Sequence, residues 1–97
     1  MKISEFQQAI ERIYYAKDSA RGVDGSFLWF VEEVGELAAA LREGDIEAMR
    51  GEFADCMAWL ATLASIAGVS LEEAVEKYRD GCPGCGATPC RCAATKP

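Results

Sequence analysis

The chain has 97 residues, 51% hydrophobic and 27% charged, which excludes a disordered segment and leaves room for one small domain. Sixteen acids against ten bases give a net charge of −6, and the first 81 residues, holding eight of those bases and all sixteen acids, carry −8; such a surface repels phosphate chains and argues against nucleic-acid binding. There is no histidine, so Ser-His-Asp and Cys-His catalysis, histidine zinc sites and Glu-x-x-His di-iron bundles are excluded.

The opening, MKISEFQQAI, lacks the apolar stretch of a secretory signal, and no uncharged apolar run reaches the roughly 18 residues of a membrane span. A cytoplasmic, reducing setting without membrane contact is therefore expected, with the five cysteines as metal ligands or free thiols. Breaks at Gly22–Gly25, Glu43-Gly44-Asp45 and Gly68-Val69-Ser70 separate four helical segments, roughly 3–20, 26–43, 45–67 and 71–80. Ser4 with Gln7 and Ser70 with Glu73 fit capping boxes, and Asp45 fits the N-cap of the third segment. The fold class expected is all-α: an antiparallel bundle of about four helices over residues 1–81, followed by a cysteine-rich tail over 82–97. A core this small calls for a metal, a partner subunit or both.

On the second segment, Phe27, Leu28, Phe30, Val31, Val34, Leu37, Ala38 and Leu41 form one broad apolar arc. Glu33 and Glu36 flank that arc, with Trp29 one turn before Glu33 and Glu32 further round. Read alone, EEVGE is an ordinary solvated acidic face beside a core stripe. The third segment changes that reading. Its apolar stripe runs through Cys56, Trp59, Leu60, Leu63 and Ile66, and Glu52 and Asp55 lie along the same stripe. Carboxylates on a buried face need compensation, and Arg42 and Arg50 project elsewhere on their wheels.

The turn supplies a geometry. Glu36 and Glu52 lie eight residues either side of Gly44, and Glu33 and Asp55 eleven either side. Antiparallel helices then set the two pairs about 12 Å and about 16 Å from the turn, facing each other in two layers. Oxygen ligands without histidine or cysteine select a hard cation, Mg²⁺ or Mn²⁺, which takes further ligands from water and substrate phosphates.

These residues carry a resemblance. EEVGE at 32–36 with EFAD at 52–55, inside LWFVEEVGELAAALREGD and EFADCMAWLATLA, resembles the EExxE…ExxD signature of the MazG-type nucleotide pyrophosphohydrolases over roughly residues 20–80. The resemblance implies an all-α NTP pyrophosphatase fold and Mg²⁺-dependent hydrolysis of a nucleoside triphosphate, NTP or dNTP, to the monophosphate and pyrophosphate, a nucleotide-pool house-cleaning activity. It implies Glu33, Glu36, Glu52 and Asp55 as metal ligands, with Glu32 holding a further metal or orienting water. It also nominates Lys77 in EKYRD to approach the substrate phosphates, with Arg79 behind it, although a solvated lysine fits that position equally. Homodimers or homotetramers are common in the family, and the Ala-rich third segment agrees with close packing between subunits. Trp29 is placed to stack on a nucleobase or to pack against the first helix or another subunit. Trp59 and Cys56 read as core.

The tail reads Cys82-Pro-Gly-Cys85-Gly-Ala-Thr-Pro-Cys90-Arg-Cys92, or C-x2-C-x4-C-x-C. Four thiols at this spacing match a structural tetrahedral Zn²⁺ site, with an iron–sulfur cluster and a metal-free tail as the alternatives. The competing reading for the whole chain is a non-enzymatic helical adaptor whose zinc knuckle binds a protein or nucleic-acid partner. Intact carboxylates at all five motif positions favour the enzyme.

Overall fold

A computed structural model describes residues 1–93. Among these residues there is no strand. Helix α1 spans Ile3–Glu43, α2 Ile46–Ala67 and α3 Leu71–Ala74, and a 3₁₀ turn over Val75–Tyr78 follows. The tail beyond it is built from turns, and its last residues, 94–97, lie outside the described residues.

Among the described residues the α-helices number three, not four. The two segments expected before Gly44 are joined as α1, which changes direction at Gly22 (φ 78°, ψ −177°). That conformation is open almost solely to glycine, so one residue absorbs the bend and no loop is spent. We refer to the stretches either side as the N-arm and C-arm of α1. The last expected helix, 71–80, is also shorter: one α turn tightens directly into the 3₁₀ turn.

The other punctuation falls where the sequence puts it. Gly44 (φ 79°) ends α1 in the left-handed conformation and donates to the Ala40 carbonyl. Asp45 caps α2, its carboxylate accepting from the N–H groups of Glu47 and Ala48. Gly68 (φ 77°) ends α2, and Val69 N–H reaches back to the Ala64 carbonyl at 2.8 Å. Ser70 caps α3 through Glu73 N–H. The Ser4–Gln7 capping box does not form. Lys2 is the N-cap of α1, and Glu5 accepts from its backbone N–H. Gln7 is buried instead: its amide donates to Ser65 Oγ and the Val69 carbonyl and accepts from Leu71 N–H. Three bonds from one side chain thus clasp the α2–α3 turn onto the start of α1.

Helix α2 folds back along α1, and this pairing is the main packing of the molecule. Fully buried positions along it are small, with Ser26 and Ala61 both at 0% exposure. The apolar arc of the C-arm is not the interior of one chain. Phe27, Leu28, Val31, Val34, Ala38 and Leu41 are exposed, Leu28 by 70%, and Phe30 and Leu37 are half-buried. One antiparallel partner covers only one side of so wide an arc. No single helix among the described residues is long and apolar enough to cross a membrane.

Candidate active site

Glu33 and Glu36, three apart on the C-arm, lie on one side of a helix, and α2 brings Glu52 against them. One carboxylate oxygen from each of the three lies within 4.8 Å of the others. Glu33 Oε2 and Glu52 Oε2 are buried and have no hydrogen-bond partner. Burial first, then the charges of Glu36 and Asp55 and contact with Glu52, push the Glu33 carboxyl up to about 7. The same surroundings raise the thiol of Cys56: burial first, then Glu33, Glu52 and Asp55. Cys56 is half-buried beside the acids rather than deep in a core.

Asp55 stands apart from the triad. It is exposed as a whole and lines a neighbouring cleft of about 300 Å³ together with Glu33. The cleft is walled by Lys17, Asp18 and Arg21 of the N-arm and by Asp55, Trp59 and Thr62 of α2. Glu33 therefore belongs both to the carboxylate triad and to the cleft.

The N-arm wall was missed in the sequence. Asp18 is buried; Thr62 Oγ1 donates to its Oδ2 at 2.8 Å, and Arg21 Nη1 to its Oδ1 at 2.9 Å. The Arg21 guanidinium lies over the Trp59 ring, 4.8 Å from the centroid. Gly25 gives it room, since a Cβ there would sit 2.7 Å from Arg21 Cγ. The available signal was the i, i+3 spacing of Asp18 and Arg21 on one helix face. It could not be read without Thr62, which lies 44 residues from Asp18.

Trp59 is likewise not a core residue. It stacks on Trp29, with ring centroids 6.2 Å apart and planes 12° from parallel, and itself lines the cleft. Trp29 remains exposed by 48%. Glu32 is exposed on the C-arm. Lys77 sits on the 3₁₀ turn, its Nζ 5.2 Å from the Tyr78 ring centroid, beside Glu76, Asp80 and Cys82 at the start of the tail. It lines that tail groove and not the carboxylate cleft. Arg79 is engaged by Glu76.

In the tail, Cys82, Cys85, Cys90 and Cys92 gather with one sulfur from each within 4.8 Å of the others. Backbone N–H groups of Arg91 and Ala87 draw the Cys85 thiol down to about 6, and those of Cys85 and Gly84 lower Cys82. Cys92, crowded by Cys90, Cys82 and Cys85, is pushed up to about 11.

An all-helical chain that presents orphaned carboxylates from two antiparallel helices, beside a cleft with cationic and aromatic walls, has the makings of a metal-assisted phosphate-handling protein. Residues 23–85 match the MazG nucleotide pyrophosphohydrolase domain, and the chain belongs to that family. No curated protein matches it. The matched region contains the carboxylate triad, Asp55 and both tryptophans; it ends at Cys85, short of Cys90 and Cys92.

Proposed function

We propose that this chain is a Mg²⁺-dependent nucleoside triphosphate pyrophosphohydrolase, releasing the monophosphate and pyrophosphate. The observation that carries the reading is the pair of buried, unpartnered oxygens on Glu33 and Glu52 within the triad. A buried carboxylate oxygen without a donor is costly, and three acids in contact repel one another. A hard divalent cation removes both costs. All-carboxylate donors suit Mg²⁺ or Mn²⁺.

Glu33, Glu36 and Glu52 would hold the ion, and Asp55, which faces the cleft, adds its negative charge beside them. When bound there, such a cation would supply Lewis-acid polarisation of the α-phosphate and a more acidic water. The protein's own side chains supply the rest. Glu32, exposed on the C-arm and next to Glu33 in sequence, orients the attacking water or takes its proton. Lys17 and Arg21 are the cations of the cleft wall and draw the β- and γ-phosphates, stabilising charge on the leaving pyrophosphate. Asp18 holds Arg21 in place, and Thr62 holds Asp18. Trp29, exposed on the edge of the aromatic stack, offers a face to the nucleobase. No covalent enzyme intermediate is required, which suits a chain without histidine. Four thiolates leave no open ligand position, so an ion on the tail stands outside this chemistry.

The exposed apolar arc supports a second element of the reading, a homo-oligomer with an even number of chains related by twofold axes. A second copy laid against Phe27, Leu28, Val31 and Val34 gives this arc the partner it lacks. Light scattering at micromolar concentration should then exceed the 10.5 kDa of one chain.

The decisive assay incubates the protein with ribo- and deoxyribonucleoside triphosphates and Mg²⁺ and measures pyrophosphate and orthophosphate separately. Pyrophosphate with monophosphate is expected, abolished by EDTA. Orthophosphate as the primary product, or no turnover of any triphosphate, would leave the adaptor reading in its place.

A further inference from the structure

The tail cysteines have no part in the proposed hydrolysis, and two of them lie beyond the family match. We propose that Cys82, Cys85, Cys90 and Cys92 form a closed Zn²⁺ site within one chain, holding one ion that orders residues 82–92.

The geometry is that of a single tetrahedral ion. Zn–S bonds of about 2.3 Å place neighbouring sulfurs about 3.8 Å apart on a tetrahedron. Cys82 Sγ and Cys92 Sγ lie 3.8 Å apart, and all four residues bring a sulfur within 4.8 Å of the others. Multinuclear iron–sulfur clusters spread their cysteines wider, because several irons and sulfides lie between them. All four ligands come from the same chain, so no second copy is needed to close the site.

The backbone is arranged for thiolates. Gly84 N–H points at Cys82 Sγ, Arg91 N–H at Cys85 Sγ and Cys92 N–H at Cys90 Sγ, each at 3.3 Å. Donors of this kind disperse the negative charge that four thiolates keep after binding a divalent ion. The Cys82–Cys85 half of the site is also closed by its own backbone. Cys82 N–H donates to the Ala87 carbonyl and Gly86 N–H to the Cys82 carbonyl. Gly84 is packed beneath the sulfurs, where a Cβ would lie 3.2 Å from Cys92 Sγ. A segment with so little apolar side chain has nothing else with which to offset the entropy of being ordered.

The ion is closed off from catalysis by its ligand set, so its loss is expected to disturb the tail and not the helices. The test uses the full chain, produced with zinc in the medium and purified under reducing conditions. Elemental analysis should give about one zinc per chain and no iron. A Cys90→Ser/Cys92→Ser double variant should lose zinc by about tenfold or more, whereas Glu33→Gln/Glu52→Gln should keep it. Helical circular dichroism of the cysteine variant reports whether the helices survive. A second readout needs no variant: trypsin should spare the Arg91–Cys92 bond in zinc-loaded protein and cut it once a thiol-competent chelator has removed the ion. Absence of zinc, iron in its place, half a zinc per chain, undiminished zinc in the cysteine variant, or cleavage at Arg91 indifferent to the metal would each overturn the proposal. None of these measurements depends on whether a nucleotide is hydrolysed.

Discussion

The two metal-competent clusters of this protein are built by opposite means. The carboxylate triad joins residues up to 19 positions apart and is fixed by the register of α1 against α2. The thiol cluster joins residues within eleven positions and is fixed by local turns whose amides face the sulfurs. The first is preformed by packing and strained by its own charges, as the raised Glu33 carboxyl records. The second is electrostatically welcoming but has little packing of its own. A rigid frame can hold repelling groups together without an ion; a turn-rich segment needs the ion to stay folded. One cluster should therefore be stabilised by losing a charge, and the other destroyed by losing a ligand.

The comparison is broken or sharpened most strongly at Glu52. Replacing it by glutamine keeps its shape and removes one charge. Turnover should fall by about a hundredfold, close to 2.7 kcal/mol of transition-state stabilisation. Stability in EDTA should hold or rise, since the amide can donate where Glu33 and Glu36 now only repel. Thermal melts in EDTA and in Mg²⁺ check both halves. A mutant that melts lower in EDTA and gains as much from Mg²⁺ as the parent places Glu52 in a structural ion pair instead.

A pH series probes the strain directly. In the unfolded chain the Glu33 carboxyl titrates near 4.5, and in the fold near 7. Between those values the folded form keeps a proton that the unfolded form gives up. The associated stability is fully present below pH 4.5 and is lost as pH rises through 7. With metal absent, unfolding free energy should drop by about 2 kcal/mol between pH 5 and 8, discounted from the full shift for partial exposure. Mg²⁺ should reverse the trend, because it binds only the ionised acids. Equal urea midpoints at the two pH values would show that the triad is relaxed without an ion.

Two smaller effects test the frame. Thr62→Val removes the donor to buried Asp18 without changing shape, and should cost about 1–2 kcal/mol in a urea titration. If Asp18 positions Arg21 for phosphates, KM should rise in this variant while kcat changes little. Ser26→Ala should be neutral or stabilising by less than about 1 kcal/mol, because the Ser26 hydroxyl is buried without a partner. Zinc content should be untouched by all of these changes.

Much of this was legible in the residues, and the exceptions share a cause. Gly44, Asp45, Gly68 and Ser70 act over one turn of chain, and each does what its chemistry announces. The facing of Glu33 and Glu36 with Glu52 followed from counting outward from Gly44, since helical rise is constant. The layering did not survive in detail: Asp55 turns to the cleft instead of completing a four-acid cluster. Gly22 looked like a loop because a glycine pair usually marks one, yet a single φ/ψ change suffices. Gln7, Asp18, Arg21 and Trp59 were misjudged or unseen because their partners, Ser65, Thr62 and Trp29, are distant in sequence. The apolar arc was read as core because periodicity reports that a face is apolar, not what lies against it.

The bend at Gly22 puts the two sides of the cleft on different levers. Lys17, Asp18 and Arg21 ride on the N-arm; Glu33 and Glu36 ride on the C-arm. Glu33 is eleven residues beyond the pivot, so at helical rise it stands about 16 Å out, and a ten-degree error in the bend would displace it by about 3 Å. That is more than the length of a metal–oxygen bond. The width of the cleft is thus a matter of angular tolerance at one glycine, and α2 acts as the gauge that sets it. Thr62 grips the N-arm through Asp18, and Trp59 grips the C-arm through Trp29, only three residues apart on the same rigid helix.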